Sequence, residues 1–229
     1  MSEIKVTNDS DNSNISNTTN SSYGELVPNY KIDKINIKEI KPSIKYINEN
    51  IYEEDLSFII EELINIYLND LNKGIKTNIR KKNFLDYINN NEINLQEMYY
   101  WLLNNQNNSY SIYLLGYFNY HGIETNINKE KTFELYQKAA KLENIVAQLD
   151  LAAIYIDERD KKNYEKAYEL FKKLTEMENP NAINMLGYCY DYGFGIDVNK
   201  QKAVELYQKA ADLGNSDALI NLEIYEIFS

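Results

Sequence analysis

The stretch Asn181–Asn215, NAINMLGYCYDYGFGIDVNKQKAVELYQKAADLGN, decides the fold, because it is the clearest of several copies of one pattern. Glu205–Ala211 reads ELYQKAA, and so does Glu134–Ala140; between them Glu169–Thr175 reads ELFKKLT, so the copies lie 35 and 36 residues apart. The other half of each unit keeps the same spacing: Leu115-Gly116, Leu151-Ala152, Leu186-Gly187 and Leu222-Glu223 follow one another at 36, 35 and 36 residues. Four residues before each pair stands a small side chain, Ser111, Ala147, Ala182 or Ala218. One helical turn separates the two positions, so they share a face, and that face is cut for the close approach of another helix. Each unit is therefore a pair of helices. Helix A carries the small-residue face, and helix B is amphipathic, with Ala203, Leu206, Tyr207 and Ala210 recurring at three and four while Lys and Glu face water. Gly193 and Gly195 end helix A where a positive φ costs little, and Asn199 is placed to cap helix B. Gly122 and Asn128 do the same in the first unit. The second unit has no glycine there, so its turn, Asp157–Asn163, is expected to take another shape.

A period near 35 residues with two helices per unit is the signature of a tetratricopeptide-type solenoid, in which no unit buries its apolar face alone. The third unit, with Ala182, Leu186-Gly187, Tyr190, Gly193 and Gly195-Ile196 followed by Lys202-Ala203, Leu206-Tyr207, Lys209-Ala210-Ala211 and Gly214, resembles the Sel-one-like repeat (SLR) family. The match is nearly complete there. It departs in the first unit at Asn119 and Glu124, and in the second at Ala152. The resemblance implies an all-α, right-handed α-solenoid acting as an adaptor that holds partner proteins in signalling, secretory quality control or cell-wall assembly. It implies no conserved reaction, and its fixed residues are packing residues, so function is sought in what varies.

Taken in order, residues 1–28 are rich in Asn, Ser and Thr, with too few apolar groups to offset the entropy of ordering, and read as a disordered tail. No apolar leader follows Met1, which gives a cytoplasmic address, with the nucleus as the alternative. Residues 29–52 read as a linker interrupted by Pro42. Residues 53–109 read as a helical cap and a degenerate repeat: Leu56, Ile59, Ile60, Leu63, Tyr67 and Leu71 form one stripe before Gly74, a second helix spans Asn78–Asn89, and a third begins after Asn94. The first of these helices is expected to close the N-terminal end of the array. Residues 110–229 hold the repeats, 110–144, 145–179 and 180–215, with 216–229 as a C-terminal capping helix.

Composition excludes several function classes. The net charge is −11, of which −6 falls on residues 110–229, so nucleic acid is a poor partner. The basic cluster Lys76 and Arg80-Lys81-Lys82 reads as the wet face of a helix in preference to an import signal. No run reaches the ~18 apolar residues of a membrane span. One Cys and one His, Cys189 and His121, leave no set for a metal or a catalytic pair; Cys189 falls on an apolar helix position and reads as a buried thiol. Gly193-Phe194-Gly195 lacks the strand and third glycine of a phosphate loop. No enzyme, cofactor or metal is expected.

Helix A positions at −5, −2, +2 and +5 from the Leu of Leu-Gly line the inner groove of such arrays. In the first unit these are Tyr110, Tyr113, Tyr117 and Tyr120, with His121 beside them; in the second, Val146, Leu149, Ala153 and Ile156; in the third, Asn181, Asn184, Tyr188 and Asp191, with Tyr192 adjacent. Tyrosine supplies contact area with a polar tip at low entropic cost, and Asn can bond a peptide backbone. These residues are expected to bind a peptide or helix of a partner protein. The segment Glu53–Asn105 also resembles linkers of fungal SLR proteins that sit behind a kinase domain, which makes a protein kinase one expected partner and a regulatory module the alternative role; the kinase motifs themselves are absent from this sequence.

Overall fold

The repeat pattern becomes ten helices in the computed structural model, which describes residues 53–228 of the chain. The expected tail and linker, residues 1–52, lie outside the described residues. The helices are α1 (Glu53–Asn72), α2 (Thr77–Asn90), α3 (Leu95–Asn104), α4 (Ser109–His121), α5 (Lys129–Lys141), α6 (Ile145–Asp157), α7 (Lys161–Thr175), α8 (Pro180–Tyr192), α9 (Lys200–Asp212) and α10 (Ser216–Phe228). Helices α4, α6, α8 and α10 are the A helices; α5, α7 and α9 are the B helices. Each packs on the next in sequence, the arrangement of an α-solenoid. No strand occurs among the described residues.

The signature residues earn their places by packing. Ser111, Ala147, Ala182 and Ala218 are all completely buried. A Cβ built on Gly116 would lie 2.7 Å from the Tyr136 ring, and one on Gly187 would lie 2.8 Å from Tyr207, so the glycine of each Leu-Gly makes room for the tyrosine of its own B helix. Asparagine caps almost every helix of the array: Asn108, Asn144, Asn179 and Asn215 accept from the backbone N–H three residues on, and Asn128 and Asn199 do so for the B helices. The turn of the second unit does differ. Helix α7 starts early and runs for 15 residues, against 13 for α5 and α9, with Asp160 as its cap and Arg159 at a φ of 54°.

Helix α1 lies against A helices of the array, α4 and α8. Its stripe, Leu56, Ile60, Leu63, Ile64, Tyr67 and Leu71, is buried throughout. It forms a hairpin with α2, tied by Asn83 Nδ2 donating to Asp70 and by the Tyr87 hydroxyl donating to Glu62. The hairpin lies against α4, and its tip reaches α8 and the first turn of α10. There the carbonyls that end α1 find donors from the far end of the array: Asn181 Nδ2 to Leu71 O at 3.2 Å, Asn215 Nδ2 to Asn72 O at 2.9 Å, and the Ser216 N–H and Oγ to Lys73 O at 3.0 and 2.8 Å. The last carbonyls of a helix have no partner within it, so the array supplies the C-cap of α1.

Candidate functional site

The A-helix face that the sequence marks out does hold a helix, and that helix is α1. Tyr113 and Tyr117, each 1% exposed, face its Tyr67, with ring centroids 6.2 and 5.3 Å away; Phe84 of α2 lies 4.6 Å from Tyr117, and Tyr136 stacks on Tyr113 at 5.1 Å. These two tyrosines therefore pack inside the protein. Asn181 is buried under the end of α1. Asn184 and Asp191 are buried under α10: Asn221 Nδ2 donates to Asn184 Oδ1 at 3.0 Å, and the Tyr225 hydroxyl donates to Asp191, which also takes Lys200 Nζ at 2.5 Å and the Tyr207 hydroxyl at 3.3 Å. Tyr120 and His121 are half-buried beside Tyr117, with the Tyr120 and His121 rings 4.8 Å apart. Burial, together with Lys81 and Arg80, pushes the His121 pKa down to about 3, so the imidazole is neutral across the physiological range. Tyr110, Tyr188 and Tyr192 keep their rings at the surface or half-buried.

Two features of this face escaped the sequence. The first is a polar junction between the hairpin and the array. Asp150, in the middle of the largely apolar α6, accepts from the Tyr113 hydroxyl at 2.8 Å and is hydrogen-bonded by Tyr67; the Arg80 guanidinium of α2 acts on the same carboxyl group and lies 5.3 Å over the Tyr67 ring. Desolvation outweighs the guanidinium and the two phenols, and the Asp150 pKa rises to about 6. An acid in the interior of a largely hydrophobic helix was the available signal.

The second is an aromatic shelf. Tyr188 and Tyr192 sit one turn apart on α8 with centroids at 4.5 Å; Phe194 stacks at 6.0 Å on Tyr192 and lies 4.4 Å from Tyr164 at the start of α7. Gly195, at a φ of 74°, makes this possible, since a Cβ there would fall 2.4 Å from the Tyr164 carbonyl oxygen. Tyr192 is 53% exposed, and Lys200 Nζ lies 5.4 Å over its ring. A phenylalanine between two glycines was the available signal.

Cys189 is buried and its thiol is pushed up to about 12 by desolvation, which keeps it protonated. Among the described residues no group of three or more His, Cys, Asp or Glu is placed to hold a metal ion, and no helix is long and apolar enough to cross a membrane.

The family model described as Sel1 repeat matches residues 109–144, 145–179 and 180–215, the three helix pairs α4–α5, α6–α7 and α8–α9. Residues 109–215 are three Sel1 repeats. A crystal structure of a protective antigen present in uropathogenic Escherichia coli strains, displaying an SLR fold, is similar at 31% identity with a TM-score of 0.51, over 56% of this chain and 28% of that one. A Sel1 repeat protein from Oxalobacter formigenes is 28% identical over 52% of this chain and 49% of its own, with a TM-score of 0.46. The chain thus spans less than half the length of both solved relatives. No curated protein matches it. Sel1 repeats are generally protein–protein interaction modules, and the α1–α2 hairpin lies outside the three matched segments.

Proposed function

We propose that the chain is an adaptor that takes a partner protein on the part of its A-helix face that its own helices leave uncovered, the shelf of Tyr188, Tyr192, Phe194 and Tyr164. The observation that carries this reading is the grouping of four rings at 4.4 to 6.0 Å with Tyr192 more than half exposed, on an A-helix face where Tyr113, Tyr117 and Asn181 are already covered by α1. A partner joins α1 and does not replace it, because displacing α1 would return six buried apolar side chains to water, each at a cost of roughly 1.5–3 kcal/mol. The shelf offers flat apolar area with hydroxyl tips, the combination that holds a peptide segment with little loss of side-chain entropy.

The test is quantitative affinity purification of the full chain against a Tyr188→Ala/Tyr192→Ala variant, with Tyr110→Ala as the control on the far side of the array. Partners lost with the shelf variant and kept by the control support the reading. A protein kinase among those lost would give the regulatory-module role its first support. Partners kept by the shelf variant would remove the shelf from the function.

A further inference from the structure

Helix α10 is held differently from every other A helix. Helix α8 buries nine of its residues, whereas Ala218 is the one buried residue among those described within α10. Its seat is a small apolar cluster of Ile183, Ala210 and Ala218, with Leu206 and Ala211 at the edge. Leu219, Ile220 and Ile224 remain 51%, 48% and 48% exposed. Among the described residues, polar contacts on either side of this cluster complete the seat of α10. At the first turn Asn215 and Ser216 grip the carbonyls of the hairpin tip; toward the other end Asn221 reaches Asn184 and Tyr225 reaches Asp191. The tip is built for that grip. Gly74 adopts a φ of 70°, and a Cβ there would lie 2.7 Å from the Asp217 backbone nitrogen and 3.0 Å from Ser216 Oγ.

Beneath α10 the fit is imperfect. Asn184 is fully buried, yet its Nδ2 has no hydrogen-bond partner, so an amide donor waits under the helix. The same helix touches the shelf, because Lys200 bridges Asp191 to the rings of Tyr192 and Tyr225.

We propose that α10 is a lid over Asn184 and Asp191, latched by the tip of the α1–α2 hairpin, and that its release opens a polar extension of the aromatic shelf to the backbone of a bound segment. Asn184 Nδ2 then has a carbonyl to meet, and Asp191 trades its Tyr225 donor for one from the segment. The role of the opened surface rests on the adaptor reading; the lid and its latch do not, and their test uses no partner.

Hydrogen exchange read by mass spectrometry on the full chain decides the matter. Segments held by few buried apolar contacts open locally at low cost, so the α10 amides are expected to exchange at least ~10-fold faster than those of α8 and α9. Gly74→Val, which cannot keep the tip geometry, is expected to speed α10 by a further ~10-fold or more while α4–α7 change by less than about threefold. If that variant loosens the whole chain, Ser216→Ala serves instead: it removes the hydroxyl that reaches the Lys73 and Gly74 carbonyls, and a rise of a few fold confined to α10 supports the latch. Exchange in α10 as slow as in α8, or an α10 rate that neither variant moves, overturns the proposal. A failed lid leaves the shelf test standing, and a failed shelf leaves the lid result intact.

Discussion

Replacing Asp150 by Asn is expected to raise the stability of the protein at pH 8 and to remove part of its pH dependence. The residue is half-buried, its carboxyl group enclosed by Tyr67 of α1, Arg80 of α2 and Tyr113 of α4. Its pKa rises from 3.8 to about 6, a shift in which desolvation is the largest cause and in which the attraction of Arg80 is already counted. The folded protein thus binds this proton more tightly than the unfolded chain does. Stability from this group is greatest below the unfolded value, falls as pH rises from about 4 to about 6, and is flat above that. A shift of about two units at 1.36 kcal/mol each puts the penalty for the charged form at up to about 3 kcal/mol at pH 8. At pH 5 roughly half of it remains. Asparagine keeps an oxygen for the Tyr113 hydroxyl and has no charge to desolvate. Urea unfolding followed by circular dichroism at pH 5 and pH 8 should show the variant ahead of wild type by up to about 3 kcal/mol at pH 8, with the gap roughly halved at pH 5. A variant less stable than wild type at pH 8 would show that the Arg80 attraction dominates the junction. A gap that does not change between the two pH values would show that folding does not raise the pKa of this carboxyl group.

Other perturbations probe the packing directly. Gly187→Ala places a methyl group 2.8 Å from the Tyr207 ring and 3.3 Å from the Ala203 carbonyl oxygen, and is expected to cost about 1–3 kcal/mol in urea unfolding; a neutral result would mean that α8 and α9 can part freely. Tyr67→Ala removes a ring in contact with Tyr113 and Tyr117 together with a hydrogen bond to Asp150, and should cost about 3–5 kcal/mol, whereas Tyr192→Ala should stay within about 0.5 kcal/mol in the same assay. Equal losses would contradict the division between covered and open tyrosines. Cys189 should react with a thiol reagent at pH 8 only as fast as the protein opens, so its labelling rate should rise with urea; rapid labelling in native buffer would contradict its burial.

The three helix pairs were legible because their signals are local. Leu-Gly, ELYQKAA and the asparagine caps each report a contact within one repeat or with the next, and a spacing of 35 or 36 residues is enough to find them. The course of the hairpin was not legible in the same way. The stripe from Leu56 to Leu71 says that α1 has a face to bury, but periodicity carries no address, and the donors that receive its end, Asn215 and Ser216, lie 143 residues away from Asn72 and Lys73 in sequence. For that reason the candidate site divided. The offsets from Leu-Gly found the face, and on that face Tyr113, Tyr117 and Asn181 meet a helix of the same chain, while Tyr188 and Tyr192 stay at the surface. Phe194 and Tyr164 join the latter pair through a turn that Gly195 alone permits, a three-dimensional closeness with no period to announce it.

Repeat arrays ordinarily grow or shrink by whole units, since each unit touches only its neighbours. The grip of Asn181, Asn215 and Ser216 on the end of α1 ties this one to a ruler of fixed length. One added helix pair between α3 and α10 would carry the first turn of α10 about 10 Å or more from Lys73, far beyond hydrogen-bond reach, and one fewer would leave no matching seat for the tip. Duplication of a repeat would here release α10 and strip α1 of its cap in a single step, so the number of repeats is itself part of what the hairpin selects.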